Sequence, residues 1–411
     1  MVKHSFLMST PFARERFGTP QILAALLLAA FLGQCVWLIA HEQRGAAETS
    51  DSEFDRVREG AAQWQGRAIA GTPVLVGPAP ELTPMRGGGF DRHHSPLWYL
   101  IASAPIAVFE ISPDARLWLL LTRAPYVVFG VLLGASLWYV SRRLYGNFGG
   151  YTALALYCFS PAVIRSSTLW FSNPQIGAAW GTFGAVFTSI AVAHTLYAPR
   201  EVVLWNWKRI LLLGISLALA IGSQFSLVII LPVLLVFMLY VAPDRKAAAL
   251  GILGASCALG FLLLFAAYFF HPRILAESFA NAVWLDVSIQ APGMAGAYLQ
   301  VIREGLASGP GLAFLVPAAL ITYAAWGRSR YFGNTAPLAV AVLFIILRIV
   351  APHDPESVFS LVAAIFLFVF VAGIAADLLE TKARELTAAV LLGLLSANAI
   401  WNIIALSRIA G

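Results

Sequence analysis

Apolar stretches of about twenty residues recur from Gln21 to Leu406, each cut short by a polar segment. A helix rises about 1.5 Å per residue, so such runs match the ~30 Å apolar core of a bilayer. The pattern predicts spanning helices over residues 21–40, 125–141, 151–164, 175–197, 248–270, 312–326, 338–350, 358–378 and 386–406. Residues 211–240 are too long for one span and short for two. Basic pairs decide the case: Arg142-Arg143, Lys208-Arg209, Arg245-Lys246, Arg328 with Arg330, and Lys382 with Arg384. If each pair marks a cytoplasmic loop, the passes between consecutive pairs are even in number. Residues 211–240 are therefore read as two short helices broken at Gly222-Ser-Gln-Phe225. The same parity leaves residues 96–109, short and carrying Pro105, as a helix lying on or dipping into the outer surface. The expected fold class is an all-α polytopic membrane protein of about eleven transmembrane helices, residues 1–411 forming a single transmembrane domain. Its N-terminus is expected in the cytoplasm and its C-terminus outside.

Composition narrows the class. The 411 residues are 59% hydrophobic and only 12% charged, and the mean hydropathy is +0.77. That leaves no room for a sizeable soluble domain. The net charge of +6 is read as loop charge that sets orientation, not as a nucleic-acid surface. Cys35, Cys158 and Cys257 all fall inside apolar runs and behave there as small hydrophobes. Lys3, Arg14 and Arg16 precede the first run, but that run is long for a signal peptide and a poor cleavage site follows. The expectation is an uncleaved first helix.

Two polar stretches interrupt the apolar pattern, and both fall on the outer side by parity. Residues 41–116 form the first periplasmic loop with juxtamembrane helices, and residues 271–311 the second. Residues 41–94 hold eight of the chain's 21 acidic residues. Asp51, Glu53 and Asp55 stand at alternate positions just beyond the first helix. Carboxylates that close raise one another's pKa unless a cation or substrate neutralises them, and such a group serves as a general base or a ligand for a divalent ion. The plain alternative is a solvated, charged loop start. After these acids, Phe54 to Trp64 suggest a short amphipathic helix on the membrane surface. Asp91-Arg92-His93-His94 restores charge just before residues 96–109. Adjacent histidines diverge and no third ligand is fixed by spacing, so positioning a phosphate or a sugar hydroxyl fits this segment better than a metal.

The order of these motifs resembles a known family. An outer loop with an acidic motif follows the first helix. Then come His94-Ser-Pro-Leu-Trp-Tyr-Leu-Ile-Ala102, near a His-Pro-Pro-Leu-Tyr-Tyr-Leu pattern, and Arg123-Ala-Pro-Tyr-Val-Val-Phe-Gly with a Gly-Leu-like continuation. Ser141-Arg-Arg-Leu-Tyr-Gly-Asn-Phe-Gly-Gly closes the series. Each motif alone is weak; together, in this order, residues 51–182 resemble the GT-C superfamily of integral-membrane glycosyltransferases, which includes protein O-mannosyltransferases and aminoarabinose transferases. Beyond residue 182 the likeness is one of hydropathy.

That resemblance implies inverting sugar transfer from a polyprenyl-phosphate-linked donor to an acceptor hydroxyl of a glycan, lipid or protein, at the outer face of a bacterial inner membrane. The family's loop carboxylate carries over to Asp51 or Glu53 as general base, with Asp55 beside them. Asp55, Arg92, His93, His94, Arg123, Arg348 and His353 are implied contacts of the donor phosphate or substrate, and Arg165 and Arg273 are further cations on that side. A divalent cation such as Mg or Mn is a candidate cofactor, its metal ligands unknown. The chain departs from the pattern in three respects: Ser95 replaces the first proline of the Pro-Pro pair, the acidic pair is split as Asp51-Ser-Glu53, and Asn173 stands where many members carry an acid. No large soluble C-terminal domain follows, so acceptor recognition is expected from the outer loops. The rival readings are a lipid or solute transporter, an O-antigen ligase or polymerase, and a non-catalytic degenerate member. Transporters favour broken or ionisable sites at mid-membrane in paired halves, and no internal repeat is evident here.

Overall fold

A computed structural model describes residues 19–41, 51–71, 75–76, 83–84, 90–109, 116–168, 174–197, 207–325, 331–351, 358–381 and 384–410; for residues 51–55 it describes the backbone alone. The described residues are helical almost throughout. Helix α1 (Thr19–His41) is followed by α2 (Asp51–Trp64), α3 (Leu97–Phe109), α4 (Arg116–Cys158), α5 (Pro161–Thr168) and α6 (Gln175–Thr195). Next come α7 (Trp207–Ser223), α8 (Ile230–Val241), α9 (Lys246–Ala267), α10 (Pro272–Asn281) and α11 (Ala295–Ala307). Helices α12 (Pro310–Ala325), α13 (Tyr331–Val350), α14 (Val358–Leu379) and α15 (Arg384–Ala410) complete the order. Two short strands, Leu75–Val76 and Thr83–Pro84, pair antiparallel in the first loop.

Long α4 is two antiparallel helices. Gly146 sits at φ 80°, ψ −175°, a conformation glycine reaches without Cβ strain. The Tyr157 hydroxyl on the second limb donates to the Gly130 carbonyl on the first, at 2.6 Å. The basic pair Arg142-Arg143 lies at this corner, as parity requires. The break predicted in residues 211–240 is also present. Helix α7 ends at Ser223, Gln224 is extended at φ −156°, ψ 119°, and a 3₁₀ turn, Phe225–Ile229, leads into α8. Both limbs lie against α6. An Arg209 guanidinium N–H donates to Ala191 O and the Asp244 amide faces the Tyr197 hydroxyl, both near the end of α6. Ser223 lies beside Gly177, near its start. The chain therefore climbs along α6 and descends along it.

Between membrane helices the hydrophobic effect gives little, because lipid tails are as apolar as leucine; close approach of small residues does the holding. Helix α6 shows this. A Cβ on Gly181 would stand 2.4 Å from the Ala220 amide nitrogen of α7, and one on Gly184 2.6 Å from Ser216 Oγ. Helix α14 is the central post, with 89% of its most apolar window buried, whereas α15 has 22% buried and faces outward.

By length and apolarity, seven described helices could cross a bilayer, or eight if Ala295–Ala307 and Gly311–Ala325, bent by 110°, are one span. The expected figure of eleven rests on splitting α4 at Gly146 and counting α7 and α8 separately.

Candidate functional site

The described parts of both expected outer loops gather at one end of the bundle, away from Arg142-Arg143, Lys208-Arg209 and Arg245-Lys246. Their meeting point is the break between α7 and α8. The Ser95 amide donates to Gly222 O at 3.0 Å and the Phe225 amide to His93 O at 2.9 Å. The second loop joins at the same place: the Val283 amide donates to Arg92 O at 2.7 Å. The Phe225, Phe279 and Trp284 rings pack mutually, their centroids 5.2–5.7 Å apart. Phe279 and Trp284 belong to the second loop, and Phe225 in the helix break is their partner. Phe269 and Phe270, with φ of 50° and 59°, form the strained corner where the chain leaves α9 for that loop.

Ser95 explains one departure from the family pattern. Its hydroxyl donates to Gly222 O at 2.7 Å and accepts the Leu97 amide at 3.3 Å, capping α3 ahead of Pro96. A proline at position 95 has neither the hydroxyl nor the amide that binds Gly222. In this chain the serine ties the first loop to the broken helix.

Just upstream, Asp91 organises the His-His pair. Its Oδ1 accepts the amides of His93 and His94 at 3.0 and 3.2 Å, and its Oδ2 meets His94 Nδ1 at 2.9 Å. Burial pushes Asp91 up, but the His94 charge and hydrogen bond, the His93 amide and the Arg56 charge outweigh it. Its carboxyl is held well below the usual carboxylate range. His94 is buried against the edge of the Trp98 ring. His93 is half-buried and Arg92 exposed.

Helix α2 lies across α3. The Trp64 indole donates to Leu100 O at 2.9 Å, and a Cβ on Gly60 would stand 2.7 Å from Tyr99 O. Buried Glu59 pairs with Arg56 at 2.9 Å, accepts from Gln63 at 3.1 Å, and faces the Tyr99 hydroxyl at 3.4 Å. Burial pushes Glu59 up, against the opposing pull of Arg56. The helix begins at Asp51, earlier than the amphipathic pattern placed it. It parts the three acids of the motif: positions 51 and 55 are one turn apart, while 53 lies about 200° around from 51. All three fall in its first turns, where the helix dipole favours negative charge.

Arg123 and Arg348 are both buried, at 2% and 4% exposure. Arg348 makes a two-pronged pair with Glu304: Nε to Oε2 at 3.0 Å and Nη2 to Oε1 at 2.7 Å. Ser360 donates to the same carboxylate. Such bidentate pairs are among the strongest polar contacts. The sequence singled out Arg348 but missed Glu304, 44 residues away, along with Glu59 and Asp91 as organising groups. Arg165 and Arg273 are exposed. His353 and Asn173 lie outside the described residues.

No protein-family model and no curated protein matches the chain. Its fold is that of the GT-C membrane glycosyltransferases. The solved structures it resembles include the oligosaccharyltransferase AglB from Archaeoglobus fulgidus in complex with an inhibitory peptide and a dolichol-phosphate. The two share 13% identity and a TM-score of 0.60 over 95% of this chain and 56% of that one. ArnT from Cupriavidus metallidurans bound to undecaprenyl phosphate is similar at 12% identity and TM-score 0.59, over 96% of this chain and 76% of that one. The chain thus spans little more than half the length of AglB.

Proposed function

We propose that the protein is a glycosyltransferase that moves a sugar from a polyprenyl-phosphate-linked donor to an acceptor hydroxyl. The reaction runs at the end of the bundle where both loops meet, the periplasmic face of a bacterial inner membrane. The observation that carries the reading is the fold itself: two neighbours with this architecture were solved with dolichol-phosphate and undecaprenyl phosphate. The acidic start of α2 stands, as in the family pattern, just beyond the first helix.

In this reading Asp51 or Glu53 takes the acceptor's hydroxyl proton as its oxygen attacks the anomeric carbon. The bond from that carbon to the phosphate oxygen breaks on the opposite face, so configuration inverts and polyprenyl phosphate leaves. One base and cations on the departing phosphate suffice. Arg92, His93, His94 and Arg123 supply positive or hydrogen-bonding groups from the first loop and α4, with Asp55 beside the base. Arg348 and His353 complete the set from the late end of the chain. A divalent cation such as Mg or Mn enters the proposal only at the acidic start of α2. Among the described residues, Asp91 is committed to His94 and two amides and Glu59 to Arg56. No group of three metal-binding side chains converges among them, and no step above runs through a metal.

The test is sugar transfer in vitro from polyprenyl-phosphate sugars, comparing wild type with Asp51→Asn and Glu53→Gln. One of the two is expected to lose turnover by at least about a hundredfold, with thermal unfolding in detergent unchanged. Wild-type transfer with both variants fully active would remove these residues as the base.

A further inference from the structure

A second built feature lies at the opposite end of the bundle. A groove of about 890 Å³ opens between the first limb of α4, α6 and α7. Its walls are apolar, including Leu132, Val140, Phe187, Ile215 and Leu219. Its rim is not: Arg143, His194 and Arg209 all border it at the end that carries the basic pairs. Among the described residues lining it there is no Asp or Glu.

Two features of the groove say what would fill it. The first is charge. Three basic side chains from three helices border one mouth, and Arg209 has given only one of its five N–H donors to Ala191 O, at a long 3.4 Å. Guanidinium groups are forked donors suited to phosphate oxygens. The second is depth. From Arg143 back to Leu132 is eleven residues of helix, and from Arg209 to Leu219 ten. At about 1.5 Å per residue either path runs about 15 Å, half of a ~30 Å apolar core. The groove therefore spans one leaflet. A polyprenyl chain is far longer than that, whereas the acyl chains of a bilayer phospholipid end at this depth.

We infer that the groove holds one anionic diacyl phospholipid from the leaflet on the side of the basic pairs. Its phosphate sits between Arg143, His194 and Arg209, and its acyl chains lie along α4, α6 and α7. Helices α6 and α7 continue to Gly177 and to the Gly222–Phe225 break, so the lipid braces two elements that form the far site. The inference is independent of the transferase reading, because it rests on a groove at the other end of the molecule.

Native mass spectrometry of the full chain in a neutral detergent tests it, with phosphatidylglycerol and phosphatidylcholine of identical acyl chains as probes. One phosphatidylglycerol is expected to remain bound, with about a thirtyfold preference over phosphatidylcholine for two arginines near a lipid phosphate. Arg143→Gln with Arg209→Gln should reduce that preference to below about threefold. Lysine at both positions should retain most of it. Arg142→Gln should change nothing, since Arg142 engages Asn147 and the Trp138 ring instead. Ala135→Phe, which fills the groove without touching charge, should lower retention of the lipid while the melting temperature shows a folded protein. Equal retention of the two phospholipids by wild type would overturn the inference, as would undiminished preference in the double glutamine variant. Tighter retention of undecaprenyl phosphate than of phosphatidylglycerol would overturn the choice of occupant, and competition by millimolar inorganic phosphate would overturn the role of the acyl chains.

Discussion

Two carboxylate–cation clusters share the loop end of this molecule, and they are built in different ways. The first, of Asp91 with His94 and Glu59 with Arg56, joins residues three apart in sequence. The second, of Glu304 with Arg348 and Ser360, joins residues 44 and 56 apart. The first shapes a loop and seats one short helix on another. The second ties α11 to α13 and α14, which also pack on each other along their length. Local pairs organise a segment; distant pairs fix the relation between segments. The two should fail differently when broken.

The second cluster should fail harder. Glu304→Ala leaves the Arg348 charge at 4% exposure without its fork-shaped partner. Breaking such a pair from one side costs about 3 kcal/mol, because Arg348 stays buried while losing two charge-assisted bonds. The expected outcome is a large drop in melting temperature in detergent. Arg348→Met combined with Glu304→Ala should recover much of that loss, since the buried guanidinium goes together with its carboxylate. A Glu304→Ala protein that melts like wild type would mean the clamp does not hold these helices. The local pair is the contrast: after Arg56→Ala the buried Glu59 keeps the Gln63 amide and the Tyr99 hydroxyl and can take up a proton, so the expected cost is smaller, about 1–2 kcal/mol, and a loss as large as that of Glu304→Ala would count against the contrast.

The same contrast explains what was legible in the sequence. Hydropathy located the membrane helices, and the parity of basic pairs settled the awkward length of residues 211–240 in favour of the break at Gly222–Phe225. Residues 91–94 were visible as a charged unit ahead of the third helix, whereas Ser95 read only as a departure from the family pattern and its cap on α3 came from the structure. Glu304 was invisible: it sits in an amphipathic stretch with nothing nearby to mark it, and its partner lies beyond two turns of the chain. The docking of Phe279 and Trp284 on Phe225 was missed for the same reason, since period and composition give the face of a helix but not what it meets. The acidic motif misled in a different way. Alternate spacing suggested three carboxylates crowded together, but a helix beginning at Asp51 turns position 53 away from 51 and 55. Hydropathy also failed to rank the helices, since α14 and α15 both read as spans but only α14 is central.

Ser95 sharpens the comparison from the local side, because it stands next to the first cluster and reaches across the fold to the helix break. Ser95→Ala loses the bond to Gly222 O and the cap on α3, each worth about 1 kcal/mol when buried. The expected loss is about 1–2 kcal/mol, read as a lowered melting temperature, with Ser95→Pro losing more because the amide bond to Gly222 goes as well. If Ser95→Pro melts above wild type, the family's Pro-Pro pattern fits this site equally well and the tie to the broken helix is dispensable.

The last effect comes from Asp91, and it depends on pH. Asp91 is held below its ordinary value in the folded protein, so it contributes stability that is fully present above the unfolded carboxylate pKa near 4. That contribution is lost as pH falls from about 5 through 4 toward the depressed folded value. Glu59 has the opposite sign: raised by burial, its contribution is complete below about pH 4.3 and declines as pH rises through its folded value. Two carboxylates of one cluster therefore pull the acid limb in opposite directions, and Asp91→Asn isolates one of them. Melting temperatures of wild type and Asp91→Asn in detergent, followed from pH 6 to about pH 3.5, should converge as the pH falls, with the variant lower at pH 6. Parallel curves would mean that the Asp91 carboxylate carries no folded-state advantage. The first loop would then owe its shape to Ser95 and the two backbone bonds at the helix break, and the local cluster would be as dependent on distant contacts as the Glu304 clamp.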